Sequence, residues 1–146
     1  MMENALDSIL MHARAKIGSL MLLDPKSRFL RIVAARGFSK DVMDHVKKLT
    51  LAPGQGIAGH VYQTGEPYYL RDPRKDPLFV HQNITLGGNF QFLSLPIRDG
   101  QGAVIGVLNI HFPTELVLGP EDLDYICRLA GSLTNRLLAP AAPLPC

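Results

Sequence analysis

The chain has 146 residues, 47% hydrophobic and 19% charged, with a formal net charge of +2. That is room for one ordinary folded domain; it excludes a disordered tail, and no basic run or basic helix points to direct contact with nucleic acid. No apolar stretch approaches the roughly 18 residues of a membrane span. Glu3 and Asp7 interrupt any signal-peptide core, and two cysteines, Cys127 and Cys146, give neither a disulfide framework nor a zinc site, so a reducing cytoplasm is the expected location.

Residues 3 to 15 read as a helix, with Leu6, Ile9 and Ala13 at helical spacing. The apolar run "IGSLMLLD", stopped by Asp24-Pro25, predicts a strand from about Lys16 to Leu23, and "RFLRIVAARG" a second one ended by Gly37. A turn this short makes the two strands antiparallel neighbours. Ser39 is placed to cap a helix reaching about Leu49, with Val42, Val46 and Leu49 as its buried stripe. A glycine-rich turn opens a short helix from Ile57 to about Thr64, which Gly65 ends. "PYYLRD" is a third strand, and residues 72 to 89 read as a long irregular excursion. "FQFLSLPIRDGQGAVIGVLNIHF" is a hairpin closed around Asp99-Gly100-Gln101-Gly102. A helix from Pro120 to about Leu138 follows Gly119, with proline at its first position. "APAAPLPC", residues 139 to 146, reads as a Pro/Ala-rich tail or the start of a linker. Residues 1 to 138 are then one domain.

The segment Gly54-Gln55-Gly56-Ile57-Ala58-Gly59 satisfies G-x-G-x-x-G, the fingerprint of a dinucleotide site. Its context argues otherwise. The fingerprint belongs between a buried parallel strand and a crossover helix; here a helix end and Pro53 precede it, and the helix behind it has about eight residues. The glycines are expected to be structural: Gly54 and Gly56 for a tight turn, Gly59 for close packing of the short helix on the sheet.

The segment "LAPGQGIAGHVYQTGEPYYLRDPRKDPLF" resembles the core signature of the GAF domain, a small-molecule-sensing module. "GSLMLLD", "LRIVAARG", "FLSLPIRDGQGAVIGVLNIHF" and "GPEDLDYICRLAGSLTNRL" are similar to that family's other segments, in the family's order, over residues 3 to 138. The resemblance implies an α+β fold: a central antiparallel sheet, terminal helices on one face, and short helices and loops forming a ligand cavity on the other. It also implies a regulatory input module of a bacterial-type signalling protein, binding an unidentified small molecule.

Strand alternation places Phe90, Phe92 and Ser94 on one face, and Val107, Asn109 and His111 on one face of the following strand. Asn109 and His111 either orient a ligand or form a solvent-facing edge. Tyr62, Tyr68 and Tyr69 suit a pocket wall or the core. Arg71, Asp72, Arg74 and Asp76 either pair among themselves at the surface or lend an arginine to an anionic ligand group. The expected ligand-binding set is Tyr62, Tyr69, Arg71, Asp72, Phe79, Phe90, Phe92, Ser94, Asn109 and His111. No metal site is expected, because the five histidines lack ligand spacing.

No enzyme motif is present: neither Gly-x-Ser-x-Gly nor His-Glu-x-x-His occurs. The free methionine sulfoxide reductases and the bilin-binding members of the resembled family use pocket cysteines, and Gly54 to Phe112 contains none. The cyclic-nucleotide pattern of that family is not evident either. A non-enzymatic sensor is therefore expected; a ligand-free dimerisation module and a small enzyme on the same fold are the alternatives. The excursion from Asp72 to Asn89 is expected to act as a lid. A homodimer through the N- and C-terminal helices is expected from the spacing of Leu123, Ile126, Ala130, Leu133 and Leu137, an a/d seam of two heptads, or else that stripe faces the chain's own sheet.

Overall fold

The computed structural model describes residues 2–71 and 90–137, with side chains described as far as Ser132. Among the described residues the elements are α1 (Met2–Ala13), β1 (Ile17–Leu23), β2 (Leu30–Arg36), α2 (Lys40–Lys48), β3 (Thr50–Leu51), α3 (Gly56–Thr64), β4 (Tyr68–Leu70), β5 (Phe90–Arg98), β6 (Val104–Pro113) and α4 (Pro120–Leu137). The strands form one antiparallel sheet in the order β3-β2-β1-β6-β5-β4. The fold is α+β, as expected. Asp72, Phe79, the proposed lid from Asp72 to Asn89 and the tail from 139 lie outside the described residues.

Short-range chemistry sets the turns. Asp24 accepts from the Lys26 amide at 3.0 Å and the Ser27 hydroxyl at 3.1 Å, and pairs with Arg31, which fixes the β1–β2 reversal. Asp99 does the same for the β5–β6 hairpin, accepting from the Gln101 and Ala103 amides. Ser39 caps α2 through the Val42 amide, and Gly65 ends α3 in a left-handed conformation with φ 73°.

Two apolar layers cover the sheet. On one face α1 and α4 bury Leu6, Ile9, Leu10, Ile126 and Ala130 against Leu20, Leu93, Leu95, Leu108, Ile110 and Phe112. On the other, α3 and β3 bury Leu51, Ile57 and Val61 against Met21, Leu30, Phe92 and Val107. This explains why β5 is buried at every position from Phe90 to Ile97: with both faces covered, both sets of alternating side chains are inside.

The chain leaves β3 at one edge of the sheet, crosses the second face as α3, and enters β4 at the opposite edge. In a dinucleotide fold the flanking strands are parallel partners; here they are the two outermost strands of an antiparallel sheet. The structural reading of the glycines holds, with one addition at Gly59. Gly54 and Gly56 have φ 86° and 64°, as a tight turn requires. Gly59 is buried in α3, and its nearest neighbours are in the turn before the helix. A Cβ there would lie 2.5 Å from the Ala52 carbonyl oxygen, so its closeness is to the turn leading into its own helix.

Three expectations are corrected. The stretch after α2 contains a strand, β3, whose two residues are too few to display alternation. Asn109 and His111 are not a solvent-facing edge: β6 is interior, between β1 and β5, and both residues are buried. Of the α4 seam, Ile126 and Ala130 are buried in this chain's own core with Leu123 packed beside them, so that stretch is used within the monomer.

Candidate functional site

The sheet face under α3 gathers most of the predicted residues. Register sets Phe92 opposite His111 and Ser94 opposite Asn109, so Phe90, Phe92, Ser94, Asn109 and His111 form two adjacent rows. Tyr62, on α3, packs half-buried against the apolar layer of the same face. Tyr69 is not with them. Pairing Tyr68 with Ser94 turns Tyr69 to the α1/α4 face, where its hydroxyl bonds Gln91 Oε1 and burial raises the phenol pKa, the nearby Arg71 charge offsetting part of that rise. Gln91 in turn donates to the Pro113 and Leu116 carbonyls at 2.8 and 2.6 Å, so this group anchors the β6–α4 connection. Arg71 is exposed beyond the end of β4.

Ser94 and Asn109 are largely occupied by each other. The Ser94 hydroxyl donates to Asn109 Oδ1 at 2.9 Å, and Asn109 Nδ2 donates to Ser19 Oγ at 3.3 Å. This buried ladder ties β5, β6 and β1 together. Ser19 was missed by sequence reasoning; its signal is a lone hydroxyl in the apolar run "IGSLMLL".

His111 is different. Its ring stands edge-to-face against Phe92 at 4.9 Å and Phe38 at 5.6 Å, and tilted on Phe90 at 5.0 Å. Burial lowers its pKa to about 3, so the ring is neutral at physiological pH. Among the described residues its Nδ1 is the one enclosed side-chain polar atom with no hydrogen-bond partner. A neutral imidazole offers one donor and one acceptor, so Nδ1 is a polar atom enclosed in an aromatic box without a hydrogen-bond partner. Phe38, just after Gly37, completes that box and was also missed, because it arrives from the β2–α2 connection.

His111 also lines a cavity of about 230 Å³ at the end of the sheet where β1 begins and β6 ends, with Ile17, Phe90, Phe112 and Pro113 as apolar walls and Arg14 and Lys16 at its rim. Among the described residues no group of three His, Cys, Asp or Glu side chains is arranged to hold a metal, and no helix is long and apolar enough to cross a membrane.

A family model for the GAF domain matches residues 1–137. The chain belongs to the GAF domain family. Among curated relatives, the dual 3′,5′-cyclic-AMP and -GMP phosphodiesterase 11 of Drosophila melanogaster is 37% identical over 70 residues, 47% of this chain and 5% of that protein. The Nif-specific regulatory protein of Azotobacter vinelandii is 28% identical over 91 residues, 62% of this chain and 17% of that protein. The chain thus spans a small fraction of signalling proteins far longer than itself. Among solved structures, a GAF domain/HD domain protein from Geobacter sulfurreducens superposes with a TM-score of 0.76 at 14% identity, covering 91% of this chain and 89% of that one. A type II free methionine-R-sulfoxide reductase from Thermoplasma acidophilum has a TM-score of 0.72 at 17% identity, covering 92% and 87%. The GAF fold therefore carries both regulators and an enzyme. Cys127, the one cysteine among the described residues, sits on α4 against the α1/α4 core layer, away from the His111 face.

Proposed function

We propose that this chain is a regulatory, sensory GAF domain: a cytoplasmic input module of a signalling protein that binds a small molecule against the His111 face of its sheet. The observation carrying the proposal is the unpartnered Nδ1 of His111, buried in a box of three phenylalanines beside a cavity. A buried polar atom without a partner costs on the order of 1–3 kcal/mol, a cost that a ligand supplying the partner removes. Phe90 and Phe92 give the apolar contact and Tyr62 the cover from α3. Ser94 and Asn109 hold the strand register beneath the ligand, and Asp72, Phe79 and Arg71 stand as further candidates on the connection between β4 and β5. In this reading no residue is a nucleophile, and residues 139 to 146 lead toward an output domain.

Thermal denaturation against 2-oxoacids, amino acids, small oxyanions and cyclic nucleotides tests it. A compound at a hundred times its Kd adds about 2.7 kcal/mol to the folded state. His111→Phe, which fits an aromatic box, is expected to keep the fold and abolish the rise in midpoint. A rise unaffected by the substitution would place the ligand elsewhere.

One observation favours a second reading, a ligand-free dimerisation module: the Ser94–Asn109–Ser19 ladder and the Met21, Phe92 and Val107 layer already fill much of this face from within. A full screen with no rise at all would support it. Both readings include a homodimer through the terminal helices, on residues other than those α4 turns inward.

A further inference from the structure

We propose that the cavity at the α1–β1 junction is a subsite for a small organic acid, its carboxylate held at the rim by Arg14 and Lys16, its apolar body against Phe90 and Phe112, and one polar atom on His111 Nδ1. The inference rests on the reading of His111 as a ligand contact and adds the chemical class of the ligand.

Charge points to an anion. Among the described residues two cationic side chains and no acidic one line the cavity. Arg31, Arg36 and Arg128 all form ion pairs, with Asp24, Asp7 and Asp124. Arg14 and Lys16 have none among the described residues, which leaves their charge available at the mouth. Size points to a small molecule: about 230 Å³ lies below the roughly 300–1,000 Å³ of pockets for drug-sized ligands. The walls are aromatic and aliphatic, which suits an organic acid better than a fully hydrated inorganic ion.

Arg14 sits in a strained backbone position at the end of α1. The Ala15 amide bonds the Leu10 carbonyl at 2.9 Å and the Arg14 amide bonds that of Met11 at 3.2 Å, a Schellman ending in which Arg14 occupies the left-handed position at φ 60°. Glycine fits that position without strain, whereas arginine does not. The dipole at the end of α1 favours a cation there in its own right, and Arg28 holds a similar left-handed conformation in the β1–β2 turn away from the cavity, so the assignment rests on the charge and shape of the cavity and not on this backbone. Because Arg14 also terminates α1, and α1 packs on α4, an acid held there would act directly on the terminal helices.

The test uses benzoate and propionate, with benzamide and propionamide as uncharged counterparts, titrated into the chain at low ionic strength and followed by calorimetry and thermal midpoint. At least one carboxylate is expected to bind saturably while its amide does not. Arg14→Gly is expected to raise the midpoint without ligand, since it relieves the backbone, yet to weaken carboxylate binding about tenfold or more, as loss of a charge-assisted contact does. Lys16→Gln should weaken it in the same direction. Absence of saturable carboxylate binding, or binding unchanged in Arg14→Gly, would overturn the proposal. Equal binding of acid and amide, lost in His111→Phe, would uphold the His111 contact and overturn the acid subsite. Carboxylate binding lost in Arg14→Gly but kept in His111→Phe would uphold the rim cations and contradict the part given to His111.

Discussion

His111 shows how burial and protonation are linked in one side chain. In the unfolded chain its pKa takes the ordinary value near 6.5, and in the fold burial lowers it to about 3. Above pH 6.5 the ring is neutral in both states and adds no slope. As pH falls from 6.5 toward 3 the unfolded chain takes up a proton that the folded chain refuses, so stability declines by up to about 1.4 kcal/mol per pH unit from this group. Urea denaturation at pH 7, 6 and 5 is expected to show a decline that His111→Phe flattens. Asp24 does not blur this window. A backbone hydrogen bond from Lys26 leads in holding its carboxyl below the ordinary 3.8, so its contribution is kept above that pH and lost only below it. The ladder makes a different demand: Asn109→Ala would strand the Ser94 and Ser19 hydroxyls in the interior and is expected to cost about 1–3 kcal/mol, read as a lower urea midpoint.

At the scale of elements, α3 and its entry turn place the cover over the His111 face. The Gly54 amide bonds the Gly59 carbonyl at 2.9 Å, and the Ala52 amide bonds Gln55 Oε1 at 2.9 Å, so turn and helix form one knot. Gly59→Ala is expected to destabilise by about 1–3 kcal/mol, because its methyl must displace the Ala52 carbonyl. Gly54→Ala should cost about 1–2 kcal/mol through its left-handed backbone. Chemical denaturation measures both. Neither substitution should create or remove dinucleotide binding. These elements were legible in the sequence because their signals are local: the Asp24-Pro25 turn, the Ser39 cap, the Gly65 stop, the alternation of "FQFLS" and "VLNIH". Alternation alone put Phe90, Phe92 and Ser94 on one face and Asn109 with His111 on one face. It could not tell an interior strand from an edge, which depends on β1 pairing with β6 from across the sequence. Nor could it phase β4, where three residues offer two tyrosines to opposite faces and only the register to β5 decides. Phe38, Arg14 and Lys16 reach the site from segments remote from it in the chain, and nothing local marks them.

At the scale of the molecule the sheet separates two surfaces with different tasks. One binds α1 to α4; the other carries His111, with the cavity at the strand ends where the two surfaces meet. Since α4 buries Ile126 and Ala130 inward, a dimer through the terminal helices must use outward residues such as Met11 and Tyr125, which are 71% and 46% exposed. Sedimentation equilibrium is expected to report a dimer at micromolar concentration that Met11→Lys with Tyr125→Lys weakens while circular dichroism is unchanged; a wild-type monomer throughout would leave ligand binding without this route to the helices. The central claim concerns His111 itself, and a long-range ¹H–¹⁵N spectrum of the histidine rings tests it most directly. The His111 ring should remain neutral at pH 5, and its Nδ1 resonance should move when a compound that raises the thermal midpoint is added. A ring that titrates near pH 6.5, or an Nδ1 resonance that stays fixed while the midpoint rises, would contradict it.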